Sequence, residues 1–329
     1  MAAVGRGASC AVVVAAWSSE AKRDLEECLA GLAGQTLPPQ QVVVVIDHNP
    51  ELAAWARAAL DGADVLENSG ERGIVGARNT GIAAVDAEIV AFTDDDAVPD
   101  PGWLEAMVAA LEDPEALGVG GELVPRWLGP EPRWFPGELY WVFGCSYTGL
   151  PTELAPIRNP IGANMAIRRE VLEAVGGFAL GAPPRQLRIA GKVLSAGHSL
   201  DDTSLGIRVG RAFPDKYWLY QPAARVHHKV APGRAGFSYM LRRCFEEGEG
   251  KAALARSHGA EAGLESERRH LLVTIPKGIG RGFLDLLRGD PAGPARALSL
   301  AVGTAATAVG YLVGAVRARP GPEPSSEPA

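Results

Sequence analysis

The chain has 329 residues, of which 47% are hydrophobic and 22% are charged, and its formal net charge is -7. This composition predicts a globular protein with a large core, and the negative charge argues against nucleic acid as the main partner, because phosphate-binding surfaces are normally basic. The four cysteines have neither the spacing of a zinc site nor the density of a disulfide scaffold, which favours reduced thiols in the cytoplasm.

The N-terminal part of the chain alternates between β-branched apolar runs and helical patterns. In chain order we predict strand, helix, strand, helix, strand, helix and strand, over residues 10–16, 20–32, 41–46, 52–60, 63–66, 76–85 and 88–93. This alternation predicts an α/β fold with a mostly parallel sheet flanked by helices. In such sheets, ligands bind beyond the carboxyl ends of the strands.

Three consecutive aspartates, Asp94, Asp95 and Asp96, follow the last of these strands, and we call them the aspartate cluster. Like charges side by side repel each other, so the cluster needs a compensating positive charge. Mg2+ or Mn2+ supplies one, because hard cations prefer carboxylate oxygens. The alternative is a solvated acidic loop in which Asp95 or Asp100 caps the next helix, and the cluster alone leaves both interpretations open.

Polar side chains follow two other predicted strands. Ser18 comes after the first strand, and Asp47 comes directly after the second. Because the carboxyl ends of parallel strands share one edge of the sheet, we expect both side chains to converge with the aspartate cluster on one crevice. This convergence favours a binding site.

Residues 118–160 form a Trp/Pro-rich stretch with no regular pattern, and they include Trp127, Trp134, Tyr140, Trp141 and Tyr147. These aromatic side chains form either the core of an irregular subdomain or a wall that stacks on sugar rings or holds lipid. A helix is predicted over residues 169–175, and the polar residues 180–198 predict a mobile loop.

The C-terminal region, residues 236–318, has a helical pattern. Residues 276–287 predict an amphipathic helix that lies on an anionic membrane surface, and the uncharged residues 297–316 are just long enough to span a bilayer. The alternative is that these helices pack on the domain or join two copies of the chain in a homo-oligomer. Residues 319–329 predict a disordered tail.

The order of the motifs resembles glycosyltransferase family 2, whose members are inverting enzymes of the GT-A type, which is Rossmann-like. The resemblance runs from about residue 10 to residue 230. It is carried by the aspartate cluster as a DXD motif, by GARNTG at residues 76–81, and by Asp201-Asp202 and His228 further along. It implies a GT-A domain over residues 1–235, with a nucleotide-sugar half at 10–117 and an acceptor half at 118–235.

The resemblance implies a donor site formed by Asp47, Arg78, Asn79, Asp94 and Asp95. Asp47 contacts the nucleotide base, Arg78 and Asn79 contact the nucleotide, and the two cluster aspartates approach ribose and sugar hydroxyls. A cation and an amide also suit ribose or pyrophosphate on chemical grounds. The alternatives are a helix cap for Asp47 and a plain surface charge for Arg78.

The resemblance also implies a divalent cation, Mn2+ or Mg2+, held by Asp96 and His228. Neutral imidazole is a competent ligand for Mn2+ and a poor one for Mg2+. A lone histidine is more often structural, but His228 follows a complete acidic set. If the segment is extended, the neighbouring His227 points to the other face.

The acidic pair Asp201-Asp202 corresponds to the position of the general base in the family. We expect Asp202 to deprotonate the acceptor hydroxyl, and the alternative for Asp201 is an N-cap of a helix at residues 204–209. Family members usually carry Glu-Asp or Glu-Glu here, so this pair is a shorter variant. Asn164 and Trp17 are assigned to the sugar or acceptor.

The resulting hypothesis is a hexosyltransferase-type enzyme that moves one sugar from a nucleotide sugar to an acceptor, because the signature of processive synthases is absent after Asp202. UDP is favoured by family frequency, and the acceptor is lipid-linked or a small molecule. The enzyme is expected in the cytoplasm or at the cytoplasmic membrane face. A nucleotidyltransferase lacks support, because residues 15–19 (AAWSS) contain no glycine or cation; a non-catalytic nucleotide-sugar binding protein is the other alternative.

Overall fold

The computed structural model describes residues 7–179, 185–189, 192–196, 200–259 and 270–317. Its strands are β1 (Cys10–Ala16), β2 (Gln41–Ile46), β3 (Asp64–Glu67), β4 (Ile89–Asp94), β5 (Ala97–Pro99), β6 (Ala116–Trp127), β7 (Ala155–Ile157), β8 (Asn164–Arg168), β9 (Arg185–Ile189), β10 (Lys192–Ala196) and β11 (Tyr217–Val230).

The α-helices lie between the strands and after them. They are α1 (Lys22–Ala33), α2 (Pro50–Ala59), α3 (Ile74–Ala84), α4 (Trp103–Ala110), α5 (Arg169–Val175), α6 (Asp201–Ala212), α7 (Phe237–His258), α8 (Ile275–Leu287) and α9 (Gly293–Arg317).

The N-terminal half of the sheet is parallel, in the order β3-β2-β1-β4. Its central strands are continuous apolar runs because helices cover both of their faces, and Val12, Val14 and Val44 are fully buried. The strands and helices predicted for this half are confirmed with small shifts at their ends. In this register Ala15 lies beside Asp94, so the carboxyl ends of β1 and β4 are level.

The second half of the sheet is mixed. β8 runs antiparallel between β4 and β6, β11 is parallel to β6, and β5 and β7 are antiparallel to β11. A long connection follows β6. The chain then enters the sheet again as β8, which runs in the opposite direction. The predicted α/β architecture with flanking helices is confirmed, and its parallel pairs lie mainly in the first half.

The Trp/Pro-rich stretch contains a 3-10 helix, Gly137–Phe143, with an aromatic cluster around it. The rings of Phe135 and Phe143 lie 4.5 Å apart, and those of Trp127 and Phe143 lie 5.1 Å apart. The interpretation as core is confirmed for this cluster, and Trp141 and Tyr147 also line the cavity described below.

The predicted loop at residues 180–198 is only partly within the described residues. There, β9 and β10 pair antiparallel, with Leu187 opposite Leu194, which differs from the predicted loop. The two strands pair through their backbone groups. The loop was predicted from the polar composition of this segment, which did not indicate a strand. The remaining residues of that segment lie outside the described part of the chain.

The C-terminal helices pack closely through glycines. A Cβ on Gly248 of α7 would lie 2.1 Å from the carbonyl oxygen of Thr307, and one on Gly310 of α9 would lie 2.1 Å from that of Phe245. Two helix backbones can approach this closely only at glycine, which has no Cβ. The small residues of α9 are therefore used within the chain, where they join α9 to α7.

The outward faces of α8 and α9 are apolar, and we call their exposed side chains the apolar surface: Phe283, Leu284, Leu286, Leu287, Leu298, Val309, Leu312 and Val316. The helix segment Gly293–Val316 is long and apolar enough to cross a membrane, and only 22% of its most apolar window is buried within the protein. It therefore differs from an ordinary core helix, which is buried on most sides. The predicted tail at residues 319–329 lies outside the described residues.

Candidate functional site

A cavity of about 1370 Å³ lies at the carboxyl ends of β1, β2 and β4. Its lining includes Asp47 and all three residues of the aspartate cluster, so the predicted convergence is confirmed for them. Ser18 instead accepts a hydrogen bond from the backbone N–H of Glu20 and caps a short 3-10 turn.

Three potential metal ligands meet in this cavity. Asp94 ends β4, Asp96 lies in the turn before β5, and β11 pairs with β5 so that His228 lies opposite Ala97. One ligand atom from each of Asp94, Asp96 and His228 lies within 4.8 Å of the other two. Two carboxylates and an imidazole fit a divalent cation of the Mn2+ type. Asp94, which the resemblance implied for the sugar, thus lies with the two predicted ligands.

Within this group, His228 and Asp96 favour each other's charged forms. Burial lowers the pKa of the His228 imidazole, but its hydrogen bond with Asp96 at 3.2 Å and the nearby Cys145 thiol outweigh burial and raise the pKa well above its usual value. Burial raises the pKa of the Asp96 carboxyl, yet the contact with His228 lowers it overall. Cys145 Sγ lies 3.9 Å from His228 Nδ1, a contact that the sequence did not indicate.

Asp95 also lines the cavity and is not a helix cap. Burial, followed by the charges of Asp96 and Asp94, raises the pKa of its carboxyl to about 8. The N-cap of α4 is Gly102, which makes no side-chain cap, and Asp100 contacts His227 Nε2 at 2.9 Å. The alternative of a solvated loop with a capping aspartate is therefore wrong.

Arg78 connects the two acidic groups of the cavity. Its Nη1 donates to Asp201 Oδ2 at 2.6 Å, and its Nη2 donates to Asp94 Oδ1 at 3.3 Å. The guanidinium is buried over the ring of Phe178, so it is not a plain surface charge. Gly162 makes room for it, because a Cβ there would lie 2.6 Å from Nη1.

The acidic pair begins α6, and its two members have different partners. Asp201 is buried against Arg78, and it is not an N-cap, because Leu200 holds that position. Asp202 accepts hydrogen bonds from the backbone N–H groups of Gly162 at 3.2 Å and Thr203 at 2.6 Å. Burial and the neighbouring Asp201 nevertheless raise the pKa of the Asp202 carboxyl to about 6.

Asp47 is held by three hydrogen bonds at the cavity wall. It accepts from Asn68 Nδ2 at 2.6 Å, from the Gly73 N–H at 2.9 Å and from His48 Nδ1 at 2.8 Å. Burial raises the pKa of this carboxyl, but these bonds outweigh burial and lower it. Asn49 caps α2, so Asp47 is not the predicted cap. Asn68 was missed, although it follows β3 just as Asp47 follows β2.

Two predicted contact residues do not line the cavity. Asn79 bonds the backbone N–H and carbonyl of Phe178, both at 2.9 Å, because consecutive helix residues point about 100° apart and Arg78 faces the cavity. Asn164 lies fully buried in the sheet. Trp17, by contrast, lines the cavity and is 70% exposed.

Replacing Asn164 with Ala is expected to destabilise the fold. Its side chain accepts from Trp103 Nε1 at 2.7 Å and donates to the carbonyls of Glu122 and Ala224 at 2.9 and 3.0 Å. Three buried groups would lose a partner, so we expect a loss of about 2–4 kcal/mol in the free energy of unfolding. Urea denaturation measures it. If Asn164→Ala were as stable as wild type but inactive, Asn164 would instead be assigned to the substrate site.

Comparisons with known proteins found similar sequences. A sequence-family model described as Glycosyl transferase family 2 matches residues 11–176. A glucosyl-dolichyl phosphate glucuronosyltransferase from Haloferax volcanii is 31% identical over 249 residues, which cover 74% of this chain and 76% of that protein. Glycosyltransferase AglE from the same organism is 27% identical over 163 residues, which cover 47% of this chain and 51% of that protein.

A solved structure shares the fold. It is the mannosyltransferase PcManGT from Pyrobaculum calidifontis in complex with GDP-Man and Mn2+, and its TM-score against this chain is 0.54. The two sequences are 20% identical, and the superposition covers 93% of this chain and 87% of that one. At that identity the likeness concerns the fold alone.

Proposed function

The chain belongs to glycosyl transferase family 2 and has the predicted GT-A type of fold, and from this premise we propose that it is an inverting enzyme that moves one sugar from a UDP-sugar to an acceptor hydroxyl. The observation that carries the proposal is one cavity that holds both the Asp94, Asp96 and His228 group and the Asp202 carboxyl, whose pKa is raised. We assign most of the donor site to residues 10–117 and the reacting sugar of the acceptor to residues 118–235.

The donor site is proposed at the ends of β1, β2 and β4. Asp47, which the three hydrogen bonds fix in place, accepts from the nucleotide base, and Trp17 lies beside it at the rim. Asp94, Asp96 and His228 would hold the cation. When bound, a divalent cation neutralises the charge that develops on the leaving nucleoside diphosphate.

Asp202 is proposed as the general base because its neighbour is not free to act. Asp201 is engaged in an ion pair with Arg78 at 2.6 Å. The Gly162 and Thr203 N–H groups orient the Asp202 carboxylate in the cavity, where it takes the proton of the acceptor hydroxyl as that oxygen attacks the anomeric carbon. A single displacement through an oxocarbenium-like transition state inverts that carbon.

The rate of transfer is expected to rise with pH through about 6, because Asp202 acts only when deprotonated and its pKa lies at about 6. Below that pH the carboxyl is protonated and cannot accept the proton, and above it the rate levels off. Measurement of kcat/KM between about pH 5 and pH 8 shows this limb. A profile that is flat through about pH 6 would argue against Asp202 as the base.

The acceptor is proposed to be lipid-linked. Leu271 and Leu312 line the cavity and are also exposed, so the cavity opens onto the apolar surface of the C-terminal helices. The relative from Haloferax volcanii is named for a dolichyl phosphate-linked glucose, which has this chemistry. We therefore place the enzyme at the cytoplasmic membrane face, anchored by α9 and with α8 on the lipid surface.

Charges on the apolar surface are expected to release the protein from membranes. In the double variant Leu298→Glu, Leu312→Glu, each charge would cost about 2–3 kcal/mol inside a bilayer, because ionised groups are poorly solvated there. Fractionation of cells by ultracentrifugation measures the change. The control is Leu154→Glu, at an exposed leucine that belongs to neither α8 nor α9. A wild-type protein already found in the soluble fraction would contradict membrane binding, and light scattering would then test for a homo-oligomer.

A further inference from the structure

One face of α7 lines the same cavity as the aspartate cluster. Tyr239, Arg243, Glu247 and Lys251 recur at every fourth position, so they share a face, and all of them line the cavity. We call this set the α7 face. The same helix lies against the start of α6, because a Cβ on Gly250 would lie 2.9 Å from Leu200 Cδ1. The end of the α7 face at Lys251 is therefore close to the proposed base, and Arg243 lies about two turns further along the helix.

Arg243 is the distinctive member of the α7 face. It is 5% exposed, and within the described residues its guanidinium makes two contacts: Nε donates to the Val142 carbonyl at 3.5 Å, and Nη1 donates to Glu246 Oε2 at 3.4 Å. Both bonds are long, while a guanidinium carries five N–H donors. A buried cation with such weak partners at a cavity wall favours an anionic ligand.

The other charged side chains of the α7 face do not cancel the positive charge of Arg243. Lys251 Nζ lies 3.3 Å from Glu247 Oε1, so those two residues neutralise each other. Glu246, which does not line the cavity, also lies 3.8 Å from Arg242. The α7 face thus carries the net positive charge of Arg243.

Three environments line the cavity. The first is the carboxylate of Asp202, the second is the cationic α7 face, and the third is the apolar mouth at Leu271 and Leu312. A glycolipid whose sugar is joined to its lipid through a phosphate presents a hydroxyl, an anion and an apolar chain, one group for each of these environments.

We infer that Arg243 binds the phosphate that joins the sugar of the acceptor to its lipid chain. The inference rests on the proposed function and names the acceptor as a phosphate-linked lipid. Arg243 would contact the phosphate, which does not react. This contact would position the attacking hydroxyl near Asp202, and the lipid chain would leave through the apolar mouth.

Binding of a short lipid phosphate to the full chain in detergent tests this inference. Calorimetry compares farnesyl phosphate with farnesol, which has the same chain without the phosphate, and with inorganic phosphate. We expect wild type to prefer farnesyl phosphate over farnesol by about tenfold or more. In Arg243→Gln, we expect farnesyl phosphate to bind about ten- to one-hundred-fold more weakly, because a charge-assisted hydrogen bond is lost. Farnesol binding should stay unchanged.

Two controls separate the outcomes. Arg57→Gln, at an exposed arginine paired with Glu67, should bind farnesyl phosphate as wild type does. UDP with Mn2+ should bind Arg243→Gln as it binds wild type, which shows that the variant is folded and that Arg243 does not serve the donor. If Arg243→Gln does not fold, Lys251→Gln takes its place and should also weaken farnesyl phosphate, because it leaves the negative charge of Glu247 in the cavity without its cation.

Three results would overturn the inference. They are equal binding of farnesol and farnesyl phosphate, equal binding of inorganic phosphate and farnesyl phosphate, and loss of UDP binding in a folded Arg243→Gln. A wild-type protein that binds farnesyl phosphate but no nucleotide would instead contradict the proposed donor site and leave the lipid site standing.

Discussion

Replacing Asp202 with Asn is expected to lower the rate of sugar transfer by about a hundred- to ten-thousand-fold, the range by which general bases contribute to catalysis. The amide has nearly the shape of the carboxylate and still lies beside the Gly162 and Thr203 N–H groups, but it cannot take a proton. Donor binding should persist, because Asp202 belongs neither to the metal group nor to the Asp47 contacts.

The measurement is the initial rate with a panel of nucleotide sugars, together with calorimetric titration of UDP and Mn2+. Asp215→Asn, at an exposed aspartate, is the matched control and should keep the wild-type rate. An Asp202→Asn enzyme within a few-fold of wild type would exclude Asp202 as the base. No turnover even in wild type, with nucleotide sugar bound, would favour the non-catalytic binding protein.

Replacing Asp96 with Ala is expected to remove both metal binding and activity. Asp96 contributes a carboxylate to the group with Asp94 and His228, and it is the partner that holds His228 Nε2 at 3.2 Å. With two of three ligands left, we expect Mn2+ affinity to fall by more than about a hundredfold, because even residues behind the ligands contribute ten- to a hundredfold. Electron paramagnetic resonance of free Mn2+ measures the affinity.

The matched control for this variant is Asp86→Ala, which removes an exposed carboxylate outside the cavity. It should bind Mn2+ as wild type does. Chelation of divalent ions from wild type should reproduce the loss of transfer seen in Asp96→Ala, and Mn2+ should restore wild type alone. Full transfer by wild type in the presence of chelator would contradict the assigned metal group.

The N-terminal half of the fold was predictable because its strands are buried on both faces. Runs such as residues 41–46 (QVVVVI) have no polar face to offer solvent, so they fit a covered parallel strand and little else. The second half depends on non-local pairing. Nothing local in residues 164–168 indicates that β8 inserts antiparallel between β4 and β6, and nothing in the polar residues 185–196 indicates the pairing of β9 with β10.

The site residues that could be predicted are those that follow strands, because the end of a strand fixes the edge of the sheet at which a side chain lies. Asp47 and the aspartate cluster follow strands, and both line the cavity. Side chains on helices and inside the sheet were harder to place, because a neighbour in sequence is not a neighbour in space: Asn79 points away from Arg78, and Asn164 fills the core. Cys145 reaches His228, and Arg243 reaches the cavity, only through the tertiary packing of the 3-10 helix and α7.

Calorimetric titration of UDP into the wild-type protein, with and without Mn2+, tests most directly whether this cavity is a donor site. We expect UDP to bind in the presence of Mn2+ and to bind far more weakly without it, because the aspartate cluster repels an uncompensated diphosphate. Binding of GDP or TDP in place of UDP would keep the glycosyltransferase assignment and change the donor. No binding of any of the three nucleotides would contradict the donor site.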